Sequence, residues 1–228
     1  MAPVKNRSIR EERKEWARAQ RQERIIDMAA QLLAKRDLEE ITLEDVAKSS
    51  GYTIQNLYQY FKNRDDLFAA VLLRKLKVVI SDTAADAEKA GRGIDRIVML
   101  GEKYVSFCLK NKSYFDLQMH FERTYYAYHK LPARKVRGDF IVQCQAVIDQ
   151  MSDLTIDAIR HGIKDGSIKT HLKPLHLMLL LWAQMLGVIQ VITMRQKYFK
   201  DVYELTSEKF RRDFRDSVVA YLSPGQGK

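Results

Sequence analysis

Residues Thr42 to Phe68 read TLEDVAKSSGYTIQNLYQYFKNRDDLF. The stretch predicts two short helices joined by a tight glycine turn, then the start of a third. Thr42 suits a helix N-cap, where its hydroxyl accepts a bond from a backbone N–H that has no partner inside the helix. Glu44 and Asp45 follow, where the positive end of the helix dipole favours acids. Leu43, Val46 and Ala47 fall at i, i+3 and i+4 and make one narrow apolar face. Gly51 can take the left-handed conformation that stops a helix. Thr53 is the next N-cap candidate, ahead of a helix over 54–61 with Leu57, Phe61 and Ile54 to one side.

The other side of that helix carries Gln55, Asn56, Tyr58, Gln59 and Tyr60. Lys and Glu would serve a helix whose only task was solubility. Amides can bond bidentately to adenine in the major groove, and tyrosine hydroxyls can hold phosphates. Asn63 then caps a long helix with Asp65 and Asp66 in its first turn. Lys62 and Arg64 stand at that helix start, where a backbone phosphate could lie. Helix, glycine turn and helix together make a helix-turn-helix, which sets one helix in the major groove. The plainer reading is a small three-helix packing unit with a polar surface. The ordered series of Thr cap, apolar triplet, Gly, Thr cap, Leu-Tyr-x-Tyr-Phe and basic helix start is more specific than that.

Residues 20 to 70 resemble the DNA-binding domain of the tetracycline-repressor (TetR) family of bacterial regulators. The likeness begins in Arg24-Ile25-Ile26-Asp27-Met28-Ala29-Ala30-Gln31-Leu32-Leu33. It continues through Ile41-Thr42-Leu43-Glu44-Asp45-Val46-Ala47 and Gly51-Tyr52-Thr53, and ends with Asn56-Leu57-Tyr58-Gln59-Tyr60-Phe61-Lys62-Asn63-Arg64-Asp65-Asp66-Leu67. The resemblance implies that Thr42 and Thr53 touch phosphates. It puts Gln55, Asn56 and Gln59 nearest to base edges, and Tyr58, Tyr60, Lys62 and Arg64 on the sugar-phosphate backbone. Tyr52 stands where the family often has Val. Ile54 and Gln55 stand where it often has a small residue or Lys. Ile54 is open to two roles, against a thymine methyl or in the core.

At 228 residues the chain can bury a substantial core, in one large domain or two smaller ones. Ten glycines and four prolines are few, which favours helices over a turn-rich β-protein. No alternating strand pattern persists. A formal net charge of +10 is consistent with a nucleic-acid partner. The surplus also covers Lys164, Lys169, Lys173, Lys197, Lys200, Arg211 and Arg212, which read as solvated surface. Cys108 and Cys144 lie in apolar periodic segments and read as buried thiols in a reducing compartment, with a disulfide left open. The start MAPVKNRSIREE has no apolar signal region.

The sequence divides into a charged arm or helix extension (1–19), a helix-turn-helix domain (20–66), a helical ligand-binding and dimerisation domain (67–222) and a tail (223–228). Ser8 and Glu11 can form a capping box, which starts a first helix near Ile9 and carries it to about Arg36. Alternatively, Lys5, Arg7 and Arg10 form a basic arm for the minor groove, or a solvated tail. Further helices are expected at 64–85, 94–110, 113–126, 135–161, 174–199 and 207–222, giving an all-α fold of about nine helices. Pro174 opens the fifth of these at the position Pro prefers. Its uncharged run to Met194 is long enough to span a bilayer, but apolar helices also occur in cores and interfaces. A buried soluble helix is favoured.

Two helices from each of two subunits, at 174–199 and 207–222, would make a four-helix bundle, with Phe210, Phe214, Val218 and Tyr221 in it. The resemblance implies the same homodimer. It would set two recognition helices roughly 34–36 Å apart and read a near-palindromic double-stranded operator. Tyr104, Phe107, Cys108, Tyr114, Phe115, Met119, Phe121, Tyr125, Tyr126, Met151, Trp182 and Met185 suit a pocket for a small hydrophobic effector, with His120, Glu122, Arg123 and Gln184 to orient it. Ordinary core packing is the plainer role for any one of them. No phosphate loop, HExxH, paired CxxC or GxSxG occurs, and the five histidines are scattered, so neither catalysis, a metal nor a cofactor is expected. The expected function is a cytoplasmic, ligand-responsive transcriptional regulator, a repressor ahead of an activator. A helical interaction protein or membrane-associated adaptor is the alternative.

Overall fold

The computed structural model describes residues 8–125 and 138–223. Among these residues there are ten α-helices, one 3-10 helix and no strand. They are α1 (Ile9–Leu33), a 3-10 turn (Leu38–Glu40), α2 (Leu43–Ser50), α3 (Ile54–Tyr58), α4 (Arg64–Lys89) and α5 (Gly93–Lys110). After these come α6 (Lys112–Tyr125), α7 (Asp139–Lys164), α8 (Pro174–Arg195), α9 (Tyr198–Asp201) and α10 (Ser207–Leu222). The single helix expected over 174–199 is two pieces, α8 and α9, because α8 ends at Arg195. The arm residues Lys5 and Arg7, the pocket candidate Tyr126 and the tail from Pro224 lie outside the described residues.

The chain forms two compact units. The first holds residues up to Arg74 together with Asp116–Gln145, and the second holds Lys75–Phe115 and Ala146 onward. These units cut across the linear boundaries read from the sequence, since α4, α6 and α7 each contribute to both.

In the first unit α1 buries Ile25, Ile26, Ala29 and Leu33, at the three- and four-residue steps that keep one helical face inward. Val46 and Ala47 of α2 and Leu57 of α3 are buried as well. Arg64 braces the loop before α2: its Nε donates to the Ile41 carbonyl at 2.8 Å and its Nη2 to the Leu38 carbonyl. These bonds satisfy backbone oxygens that no helix ladder reaches.

In the second unit Ile94 and Ile97 of α5, Ile159 of α7, Leu177 and Leu181 of α8 and Leu222 of α10 form one core cluster. A smaller cluster gathers Val188, Ile192 and Phe199, with Phe210 and Phe214 packed against it. Phe210, Phe214 and Val218, expected in a bundle with a second subunit, pack against these clusters and stay half-buried, while Tyr221 is exposed. The opposite face of α8 exposes Leu175, Leu179, Leu180, Val191 and Met194. This helix is the one described segment long and apolar enough to cross a membrane, a test that the core helix of a soluble protein also passes.

Candidate nucleic-acid interface

Both short helices of the motif are fixed at their starts by reciprocal capping boxes. The Asp45 backbone N–H donates to the Thr42 hydroxyl at 3.2 Å, and the Thr42 N–H donates to the Asp45 carboxylate at 3.0 Å. These bonds from Thr42, backbone first, hold the Asp45 carboxyl below its ordinary range, with Arg36 adding at 3.1 Å. Between the helices Gly51 adopts φ 76°, and its N–H bonds back to Ala47. A side chain there would strain the backbone, so the turn needs glycine.

Thr53 repeats the device with Asn56. The Asn56 N–H donates to the Thr53 hydroxyl at 3.2 Å, and that hydroxyl donates to the Asn56 carboxamide oxygen at 2.8 Å. The Thr53 backbone N–H reaches the same oxygen at 3.3 Å. Asn56 thus has its acceptor end turned into the cap, which leaves its nitrogen for an outside partner. The helix is shorter than the expected 54–61. After Tyr58 the Gln59 and Tyr60 N–H groups bond three residues back, so the last turn tightens before Phe61.

The two faces divide cleanly. Leu57 and Phe61 are buried, while Gln55, Tyr58 and Gln59 are exposed, as are Thr42, Thr53 and Lys62. Ile54, Asn56 and Tyr60 are half-buried. Arg64 is half-buried too, with its guanidinium engaged on the two carbonyls and 5.1 Å over the Phe68 ring.

Two residues not assigned a contact from the sequence organise this element. Arg18 of α1 donates to the Gln59 carbonyl at 3.2 Å and lies 5.7 Å over the Tyr60 ring. Asp66 is buried, and its carboxylate accepts from the Lys62 N–H at 3.0 Å and from the Phe140 and Ile141 N–H groups at 2.9 and 3.3 Å. One carboxylate therefore fixes both the exit of the recognition element and the first turn of α7. Gly138 sits so close that a Cβ there would overlap this carboxylate. Beside it, the Tyr125 hydroxyl at the end of α6 donates to Asp65.

Comparison with known proteins agrees with this geometry. Residues 25–71, which span the motif and its flanking helices, match the bacterial regulatory proteins of the tetR family. The match places the segment 25–71 in the tetR family. Over 86 residues the chain is 34% identical to an uncharacterized HTH-type transcriptional regulator of Mycobacterium tuberculosis, a match covering 33% of this chain and 43% of that protein. The chain thus spans less than half the length of that curated relative. Its fold is similar to that of the transcriptional regulator FadR from Bacillus subtilis, solved in complex with stearoyl-CoA, at TM-score 0.63 and 14% identity over 87% of this chain and 98% of that one. It is also similar to a putative transcriptional regulator from Saccharomonospora viridis solved in complex with choline, at TM-score 0.66 and 16% identity over 90% and 98%.

Outside the part matched by the tetR family, the effector candidates divide between the two units. Tyr104, Phe107, Cys108, Phe115, Met151, Trp182 and Met185 lie in the second, and Met119 and Tyr125 in the first. Tyr104, Cys108 and Phe115 are buried, and the others are half-buried. Burial pushes the Cys108 thiol up to about 12, so it is a packing group and not a thiolate. Cys144 is buried as well and forms no disulfide, and its thiol donates to the Ala69 carbonyl at 3.0 Å. On α6 the Gln118 Oε1 and the His120 Nε2 are buried without a hydrogen-bond partner. Gln118 carried no signal in the sequence, because a buried amide on a helix is indistinguishable there from a solvated one. Among the described residues no cluster of His, Cys, Asp and Glu could hold a metal ion.

Proposed function

We infer that this protein is a ligand-responsive, DNA-binding transcriptional regulator that works as a homodimer on a near-palindromic operator. The observation that carries the reading is the split surface of α3: apolar groups inward and a run of amides and phenols outward. Gln55 and Gln59 are the base-reading side chains. Asn56 contributes a donor only, since its oxygen is held by Thr53. Tyr58, Tyr60, Thr42, Thr53 and Lys62 hold the sugar-phosphate backbone, and Ile54 flanks the bases. Arg64 acts as a brace of the domain, because its donors are directed to the Leu38 and Ile41 carbonyls.

The second unit takes a small hydrophobic effector, with Tyr104, Phe107, Phe115, Met151, Trp182 and Met185 as the apolar and aromatic groups suited to it. Related folds solved with stearoyl-CoA and with choline support ligand binding by this fold. Release from DNA requires the effector to favour the DNA-incompetent arrangement, and a coupling of about 1–3 kcal/mol would lower DNA affinity several-fold to about a hundred-fold. Repression, and a place in the cytoplasm, complete the reading.

Selection of bound duplexes from a random pool tests it. A two-fold related consensus is the expected result. Gln55→Ala and Gln59→Ala should each relax preference at one half-site position by about 1–3 kcal/mol, whereas Tyr58→Phe should weaken all sequences alike. Purified protein with no preference among duplexes at moderate salt would refute the reading.

A further inference from the structure

The first four turns of α1 bury no side chain fully, and their contacts are those of Arg18 with Gln59 and Tyr60 and of the half-buried Ala17 and Gln22. From Ile9 to Arg24 no residue is buried, although the helix is well formed from its first turn. Its start is fixed by a capping box in which the Glu11 N–H donates to the Ser8 hydroxyl at 3.3 Å and the Ser8 N–H to the Glu11 carboxylate at 3.0 Å. Those bonds from Ser8 also hold the Glu11 carboxyl below its ordinary range. Some other constraint must explain why about four exposed turns remain helical and charged.

The charges are sorted by face. Arg10, Lys14, Arg18 and Arg21 recur at steps of four, four and three, which aligns them along one side of a helix. Arg13 and Arg24 extend the same side. Glu12 and Glu23 fall on the opposite side, and Glu11 and Glu15 along the flank beside Arg18. Glu11 with Lys14 and Glu15 with Arg18 stand three residues apart, a pairing distance, but Arg10, Arg13 and Arg21 have no acid three or four residues away along the helix. The basic stripe also has a defined position, since Arg18 is the residue that reaches the Gln59 carbonyl and the Tyr60 ring. The stripe therefore passes the end of the recognition element at Arg18, with Arg10 and Lys14 to one side of it and Arg21 to the other. The segment's exposed large apolar groups, Ile9 and Trp16, are too few for the apolar face of a membrane-surface helix.

We propose that Arg10, Lys14 and Arg21 track duplex phosphates beside the recognition helix, making α1 a second, sequence-independent contact with DNA. The proposal rests on the DNA-binding reading and adds a partner surface to it. From Arg10 to Arg21 the helix rises ~16 Å, against ~3.4 Å per phosphate of one strand, so three contacts fit along it.

The test uses the full chain with Arg10→Gln, Lys14→Gln and Arg21→Gln combined, none of which removes a buried contact. Binding to a selected duplex and to a random-sequence duplex is measured over a KCl series, with helicity checked by circular dichroism. Each lost phosphate contact should reduce the salt slope by about 0.9, so the slope falls by roughly 2–3 per protomer, with equal loss of affinity for both duplexes. The charge-preserving set Arg10→Lys, Lys14→Arg and Arg21→Lys should keep the wild-type slope. Glu12→Gln with Glu15→Gln, on the other face, should not lower it. If the wild type binds DNA and the triple Gln variant keeps both slope and affinity, the α1 contact is overturned and the regulator reading stands. If the wild type binds no duplex, both are overturned.

Discussion

Asp66 shows how much one side chain decides. As an acid in the first turn of α4 it would ordinarily favour the helix dipole and little more. Here it is buried and accepts from three backbone N–H groups, on Lys62, Phe140 and Ile141. Hydrogen bonds to a charged group are stronger than neutral ones, and removing the acceptor strands buried donors. Asp66→Ala should cost about 2–3 kcal/mol in urea unfolding, and Asp66→Asn, which keeps one carbonyl oxygen, clearly less. Equal stability of wild type and Asp66→Ala would show that water replaces the carboxylate at no cost. Arg64 makes a related point: its charge suggests a phosphate, but its neighbours supply two carbonyls and an aromatic face.

At the scale of elements, α5 and α7 are joined by a polar staple next to their apolar contact. The Asp165 carboxylate accepts from the Gly93 N–H at the start of α5 and from the Ser167 N–H, both at 2.8 Å, while the Ile94 N–H donates to the Ser167 hydroxyl at 3.1 Å. Bonds from Ser167 and Gly93 hold the Asp165 carboxyl at about 2, against an ordinary 3.8. A group depressed on folding stabilises the protein above its unfolded value and loses that effect as pH falls toward the folded one. The melting temperature of Asp165→Asn should therefore lie below wild type at pH 7, and the gap should close between about pH 4 and pH 2. A gap that persists unchanged at pH 2 would place the effect in packing. α8 illustrates a different rule, since its inward face builds the core while Leu175, Leu179, Leu180, Val191 and Met194 remain exposed.

For the whole molecule, that exposed apolar face is the surface expected to meet a second copy. Apolar patches of this kind on one helix mark an interaction site more often than a solvated surface. Gly187 lies in the exposed part of α8, and a Cβ built there meets nothing within 4 Å. Gly187→Arg should therefore leave the single chain folded, with some gain in helix propensity, yet block close approach of a partner. Sedimentation should give a dimer for wild type and a monomer for the variant, and the variant should lose operator affinity. A monomeric wild type at micromolar concentration would end the dimer proposal and with it the two-fold operator.

Much of this molecule was written in local sequence. Thr42, Gly51, Thr53 and Asn63 act within a few residues of themselves, through caps and one left-handed turn, so the helix-turn-helix was legible from spacing alone. The α1 start at Ser8 was legible for the same reason. Partnerships between residues far apart in the chain were not. Asp66 with Phe140, Arg18 with Gln59, and Phe210 with the cluster around Phe199 each join segments whose proximity no short window encodes. Composition told that Phe210 and Phe214 are apolar, but only the packing set them, half-buried, against the cluster around Phe199, because one apolar stripe can satisfy either a core or a partner. The same physical reason separates Gln55 from Gln118: both are helical glutamines in the sequence, and only burial distinguishes a side chain facing solvent from one enclosed without a partner.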